Sequence, residues 1–443
     1  MIRSARLGAA ALGAVLALTL AAAAGSAGLL PQQHTPPDLH AEVVALDGDG
    51  QLVPLSDGGQ SRLVDGLRAL DARSAQRQRD WLDAGPVPGA GTRWAGMGRD
   101  ALLDLDVLVL GNGAALAGWT EHWRYVWPRD AAFVAAAMAR TGRLDRAEQV
   151  LAHLQRLAPE RGVFQARYLP DGSGDVPDRR GPETDGSGWL LWAIGELEQA
   201  TPSPDRPALL RRLTPLLGAA TRGSLSTLRE GDGLPPPGLD YWEVPDKRVS
   251  LGLAAPLLAG LEAAPDLLRL SGSADLAALI PPARTAASEL AERVQSEYGR
   301  YGFPRFAGGP AGAAKDTSLA FLMPPFRSPG RAAGAPIDAS ALTRAWTAAQ
   351  HDLLRPAGGL APGARWRADG ISWTPETAVF ALTAAASGDR ATAEHWLDWL
   401  DAHRTRAGAL PEKVLDDGSP ASVAPLAWTA ATVVLTLALL DER

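Results

Sequence analysis

The sequence predicts an all-α fold in which buried helices alternate with amphipathic ones and close into a toroid. Three observations carry that expectation. Beyond residue 95 the apolar spacing is helical, and no alternating run is long enough to propose a sheet. The helical segments are of two kinds, apolar on every side or on one face only, and the two kinds take turns along the chain. The tryptophans, acids and arginines suited to chemistry gather in the segments between them, which is where a rigid scaffold displays functional groups.

Composition narrows the function. With 443 residues and 46% hydrophobic content, the chain can build one large core or two ordinary ones. A formal net charge of −7 supplies no basic field, which argues against nucleic acid as a partner. A neutral or small ligand is expected instead, and no protein partner is implied. There is no cysteine, so disulfides, thiolate nucleophiles and cysteine metal sites are excluded. The seven histidines show no HExxH or other ligand spacing, and neither a metal nor a cofactor is expected.

Residues 1–30 read as a signal peptide or N-terminal anchor. Arg3 and Arg6 provide the positive end, residues 7–24 are an unbroken run of apolar and small side chains, and Gly25, Ser26 and Ala27 offer a cleavage site. The apolar run reaches Leu30, long enough for an uncleaved membrane tether through residues 7–30. Either way the protein is expected to be exported, and to be secreted or held at the outer face of the membrane.

Residues 31–94 read as linker, small hairpin and leading helix. Val43, Val44, Ala45 and Leu46 run apolar into the turn Asp47-Gly48-Asp49-Gly50, which lacks the further ligands of an EF-hand loop and is expected to be a turn rather than a calcium site. A polar-faced helix is expected at 61–82. From 95 to 443 the barrel follows, beginning with a helix at 101–110. Residues 129–140 are Ala, Val, Phe and Met on nearly every side, which marks a helix buried all round. Residues 144–157 place Ala147, Val150, Leu151, Leu154 and Leu157 on one face, which marks an amphipathic cover. The pairing recurs at 186–194 and 207–217, at 249–261 and 274–294, and at 371–386 and 389–403. Segments 315–321 and 339–354 and the C-terminal run 424–440, which holds Trp428 and threonines, bring the total to about a dozen helices. Inner helices alternating with outer ones surround a central funnel.

The candidate functional residues lie in the loops. Trp119, Trp123, Tyr125 and Trp127 lead into Arg129 and Asp130, flat apolar platforms beside a donor and an acceptor, which suits a pair of sugar hydroxyls. A second reading has Asp130 capping the helix and Arg129 pairing with some carboxylate. Asp185, in Gly181-Pro182-Glu183-Thr184-Asp185-Gly186, either caps the next buried helix or orients an acid or a hydroxyl. At 240–246 a turn-rich lead brings Glu243 directly after Tyr241 and Trp242; a carboxyl pressed against aromatic rings loses solvation and holds its proton, as a general acid must. Glu412 follows Pro411 in a later loop and, with Lys413 beside it, is the better candidate to stay ionised.

Five segments in order, YVWPRD (125–130), GPETDG (181–186), DYWE (240–243), LPEKV (410–414) and PLAWTAA (425–431), resemble glycoside hydrolase family 15, the glucoamylase family, across residues 90–440. The resemblance implies a six-hairpin (α/α)6 barrel catalytic domain and inverting hydrolysis at the non-reducing ends of α-glucans or maltooligosaccharides, releasing β-glucose. It implies Glu243 as general acid and Glu412 as general base. Arg129 and Asp130 match residues that hold hydroxyls of the terminal sugar, while Trp127, Trp242 and Trp428, with Tyr125 in the same aromatic segment, match substrate-binding walls; Asp185 matches the aspartate of the PxxDG turn. An inverting mechanism places its two carboxyls about 6.5–9.5 Å apart, with a water in front of the base.

The sequence departs from that pattern at Val244, where fungal relatives carry a second glutamate, which leaves linkage preference open. Only about 60 residues precede the barrel region after the signal, too few for the β-sandwich of many bacterial relatives, and no starch-binding module follows; short soluble oligosaccharides are the expected substrates. Hydrolysis of trehalose or of α-1,6-linked dextran and isomaltose is the alternative within the fold. A tethered glycan-binding barrel without catalysis is the alternative outside it.

Overall fold

Helical spacing of apolar residues, interrupted where proline, glycine or a capping acid falls, sets the order of elements in the computed structural model, which describes residues 36–310, 313–327 and 337–442. The expected signal or anchor at 1–30 lies outside the described residues. Strands β1 (Val43–Leu46) and β2 (Leu52–Leu55) pair antiparallel around the Asp47 turn, as expected, with the Asp47 carboxylate accepting from the N–H groups of Asp49 and Gln51. No helix fills 61–82. A 3₁₀ turn at Gly59–Arg62 is followed by irregular chain, and helix α1 spans Ala72–Asp83. Asp65 and Gly66 take positive φ, and Asp71 caps α1 by accepting from Arg73 and Ser74, so the start is displaced by eleven residues.

The barrel begins with α2 (Ala95–Leu108), then α3 (Pro128–Arg140), α4 (Leu144–Leu157), α5 (Gly186–Ala200), α6 (Thr214–Glu230), α7 (Leu251–Ser271) and α8 (Ile280–Glu297). Proline explains where the expected outer segments divide. A short helix at Arg206–Arg212 stops before Pro215 opens α6, and a turn at Ala274–Ala277 stops before Pro281 and Pro282 open α8. The expected helix at 315–321 is a 3₁₀ segment, Thr317–Leu322, capped by Asp316. Helices α9 (Ala339–Asp352), α10 (Thr374–Ser387), α11 (Arg390–Ala402) and α12 (Ala427–Asp441) complete the chain.

Contacts close the inner ring in the order α3, α5, α7, the 3₁₀ segment, α10, α12 and back to α3. Outside it, α4 covers α3, α6 covers α5, α8 covers α7, α9 covers the 3₁₀ segment, α11 covers α10 and α2 covers α12. Six inner and six outer elements among the described residues form an (α/α)6 barrel, and the shortest inner element still fills its place. The inner helices are apolar all round because every side meets another element; residues 427–440 of α12 are buried throughout. Helix α7 is long and apolar enough to cross a bilayer, yet 89% of its apolar window is buried inside the barrel.

One departure from the expected all-helical region is a small antiparallel sheet of β3 (Ser372–Trp373), β4 (Lys413–Val414) and β5 (Pro420–Ala421). Strands of two residues leave no alternation to read. Their effect is local, since Trp373 pairs with Lys413 and so ties the loop before α10 to the loop before α12.

Helices α5 and α7 cross backbone to backbone at Gly188 and Gly260. A Cβ on Gly260 would stand 2.5 Å from the carbonyl oxygen of Gly188, and one on Gly188 would press into the carbonyl of Pro256. No flexible side chain is there to yield. Gly188→Ala is therefore expected to destabilise the barrel by about 3 kcal/mol through overpacking, read as a lower midpoint of urea unfolding. An unchanged midpoint would show that the crossing tolerates a methyl group.

Candidate active site

A cavity of about 250 Å³ opens where the inner elements begin. Chain entering α3 contributes Trp123, Trp127, Arg129 and Asp130; chain entering α5 contributes Arg167 and Arg180; Tyr241, Trp242 and Glu243 precede α7; Trp366, Trp373 and Glu376 surround the start of α10; and Glu412, Lys413 and Trp428 surround the start of α12. Loops and first turns at the N-terminal ends of the inner helices thus build the wall.

Arg129 is the buried cation of the site. Its guanidinium donates to Glu183 Oε2 at 2.7 Å and lies 3.4 Å from Asp130, 3.7 Å from Asp185 and 3.7 Å from Glu243, with the ring of Trp428 at 5.1 Å. Burial works against its charge, but these carboxylates more than offset that and hold its pKa above the ordinary value. The acids respond in the opposite sense. Burial raises Asp130 and Asp185 to about 6 each and Glu183 well above the usual carboxylate range, with Arg129 pulling them back only in part.

Glu243 stands on a turn fixed by a second buried arginine. The Asp240 carboxylate accepts from the Trp242 N–H at 3.0 Å, Ser250 Oγ at 2.7 Å and Arg305 Nη2 at 2.9 Å, while Arg305 Nη1 reaches Asp316 at 3.2 Å. Tyr241 donates its hydroxyl to Asp316 at 2.6 Å, and Trp242 lies on the Arg305 guanidinium at 3.6 Å. This closes the turn so tightly that Glu243 takes a φ of 55°, which a residue with a Cβ adopts only under constraint. The expected pressing of Glu243 against Tyr241 and Trp242 is corrected here. Both rings serve the Arg305 network, and the Glu243 carboxylate instead pairs with Arg180 and faces Arg129.

Glu412 is held from several directions. Its Oε2 accepts from Ser422 Oγ at 2.6 Å and pairs with Lys413 at 3.0 Å, and Trp123 donates to Oε1 at 3.3 Å. Ser422 takes a φ of 68°, with its N–H bonded to Asp38 O and its carbonyl accepting from His40. The segment before the hairpin thereby fixes the hydroxyl that fixes Glu412.

Several polar atoms in this wall have no hydrogen-bond partner: the indole nitrogens of Trp127, Trp242, Trp366, Trp373 and Trp428, Asp130 Oδ2 and Glu376 Oε2. A buried polar atom left unpaired costs free energy, so donors and acceptors set among aromatic faces match a ligand dense in hydroxyl groups.

The structure brings Glu243, Glu412, Trp127, Arg129, Asp130, Trp242 and Trp428 onto one cavity. Tyr125 and Asp185 stand behind it. Arg167 lies over the rings of Tyr125 at 4.7 Å and Trp127 at 5.0 Å, so Tyr125 backs the wall. Asp185 does not cap α5 with its side chain; it accepts from Trp189 Nε1 at 3.1 Å and faces Arg129. Asp130 is in the first turn of α3 and is not its cap. Sequence reasoning missed Trp366, Trp373, Arg180 and Glu376. The two tryptophans carry the same signal as the loop before α3, aromatic residues in glycine- and proline-rich chain, whereas Arg180 carries none.

No protein-family model matches this sequence, and no curated protein matches it. Solved structures do match. A glycosidase variant in complex with glucose superposes with a TM-score of 0.63 at 20% identity, covering 84% of this chain and 98% of its own. A bacterial glucoamylase complexed with acarbose gives 0.66 at 17% identity, covering 84% of this chain and 59% of its own. A glucoamylase from Saccharomycopsis fibuligera gives 0.59 at 13% identity, covering 75% of this chain and 89% of its own. The chain therefore has the fold of the six-hairpin glycosidase barrels. The structures that share this fold include glycosidases and glucoamylases alike.

The Arg305 network has a measurable consequence. Arg305→Met would leave Asp240 and Asp316 buried without their cation, at a cost of about 3–5 kcal/mol of stability. Guanidinium unfolding of Arg305→Met beside the triple variant with Asp240→Asn and Asp316→Asn reads this directly, and neutralising the acids should restore part of the loss. Equal stability of Arg305→Met and the unaltered chain would contradict it.

Proposed function

We propose that this protein is an inverting, exo-acting glycoside hydrolase that releases β-glucose from the non-reducing ends of α-glucans or maltooligosaccharides, with Glu243 as general acid and Glu412 as general base. The observation that carries this reading is the pair of loop carboxylates on one cavity whose aromatic wall leaves indole N–H groups unpaired. Solved barrels of the same fold, holding glucose or acarbose, support an α-glucoside as the first ligand to test.

Each step has a residue. Glu412, anchored by Ser422 and Lys413, is placed to take a proton from a water as it attacks the sugar. Glu243 gives its proton to the glycosidic oxygen, so its link to Arg180 belongs to the resting site and is exchanged for the leaving oxygen when substrate enters. Arg129 and Asp130 offer a donor and an acceptor to hydroxyls of the terminal sugar, and Trp127, Trp242 and Trp428 supply apolar faces. Val244 is exposed and absent from the cavity wall, consistent with a next subsite that makes fewer polar contacts. We also propose that the substrate is met outside the cytoplasm, on the strength of the charged and apolar residues 1–30.

Glu243→Gln and Glu412→Gln are each expected to lower the single-turnover rate at least about 10³-fold while changing oligosaccharide binding little. Rates on maltotetraose, isomaltotriose and trehalose in parallel also assign the linkage. Either glutamine variant turning over at the unaltered rate would overturn its assigned role.

A further inference from the structure

Glu376 has no part in the steps above, yet its position is unusual for an acid. It lies in the first turn of α10, is 2% exposed and lines the same cavity as Glu412 and Asp130. Its Oε2 has no hydrogen-bond partner. The charged groups that face it are Glu412 from the loop before α12, Arg129 from α3 and Asp316 at the cap of the 3₁₀ segment. None of these neutralises it through an ion pair. This glutamate is thus buried at the cavity wall without an ion-pair partner.

We propose that the Glu376 carboxyl group donates a hydrogen bond to a hydroxyl of the sugar held in this cavity and accepts one through its other oxygen, so that it selects for a hydroxyl at that position. The inference rests on the glycoside hydrolase reading and deepens it. Burial, joined by the negative charge of Glu412, pushes the Glu376 pKa up to about 8 against the smaller pull of its own backbone N–H and of Arg129. At neutral pH the side chain is an uncharged acid with an O–H to give. The rest of the wall shows why that matters. Indole nitrogens and guanidiniums only donate, and an ionised carboxylate only accepts, whereas a sugar hydroxyl does both. A neutral carboxylic acid answers one hydroxyl in both senses. It also spares Glu412 a second negative charge at close range.

The pH dependence has a definite sign. Above its pKa, Glu376 loses its donor and adds charge beside Glu412, so affinity for an uncharged sugar should fall as pH rises through about 8. Glutamine keeps a donor and an acceptor without a proton to lose.

The test is titration of glucose and maltose into the full chain, Glu376→Gln and Glu376→Ala, followed by the fluorescence of the cavity tryptophans at about pH 6.5 and about pH 9.5, with initial rates on maltose alongside. The expected result at the lower pH is binding within about threefold of the unaltered chain for Glu376→Gln and about tenfold weaker for Glu376→Ala. At the higher pH the unaltered chain should weaken while Glu376→Gln does not. Equal binding by Glu376→Ala, or a fall with pH that persists in Glu376→Gln, overturns this inference alone. No binding and no hydrolysis by the unaltered chain overturns the glycoside hydrolase reading and this inference with it.

Discussion

The site depends on one buried guanidinium. Burying Arg129 without compensation would cost several kcal/mol, and the compensation comes from four carboxylates on three separate segments: Asp130 beside it, Glu183 and Asp185 before α5, and Glu243 before α7. Each loop is therefore held to the same point, and Trp428 brings α12 to it as well. Arg305 repeats the device on the other side of the Glu243 turn through Asp240 and Asp316. Glu243 is thus set between two cation networks, one that shapes its backbone and one that faces its carboxylate. Its positive φ is where the two constraints meet.

Glu412 is organised differently. Hydrogen bonds from Ser422, Trp123 and the adjacent ammonium position it, and a short sheet ties its backbone to the start of α10. The proposed acid and base are consequently controlled by separate structures. Because the barrel alternates inner and outer elements, the chain entries into α3, α5, α7, α10 and α12 all fall at the cavity, and five loops converge there.

Much of this was legible in the residues. The alternation of all-apolar and one-faced segments gave the inner and outer rings because burial imposes those patterns directly. Element ends were less legible at 61–82, where Asp65, Gly66 and Asp71 set the chain path and a polar composition hid the break. The 3₁₀ segment and the two-residue strands are too short for any period to register. In the site, aromatic-rich loops with an adjacent acid pointed to Glu243, Arg129 and Asp130, whereas Trp428 was indicated only by the family resemblance. The environment of Glu243 was not readable, since Arg180 is distant in sequence and stands among ordinary loop residues. Glu376 was missed because an acid in a first helical turn usually faces solvent and favours the helix dipole. Its burial comes from the ring closing around it.

The most direct test of the central claim is the configuration of the first sugar released. Incubating the purified protein with maltotetraose, isomaltotriose and trehalose, and following the anomeric protons by NMR before mutarotation, reads both linkage and stereochemistry. Glucose appearing first as the β-anomer from one of the three is the result predicted for a water activated by Glu412 opposite a leaving group protonated by Glu243. The α-anomer appearing first, or no release from any of them, would contradict it.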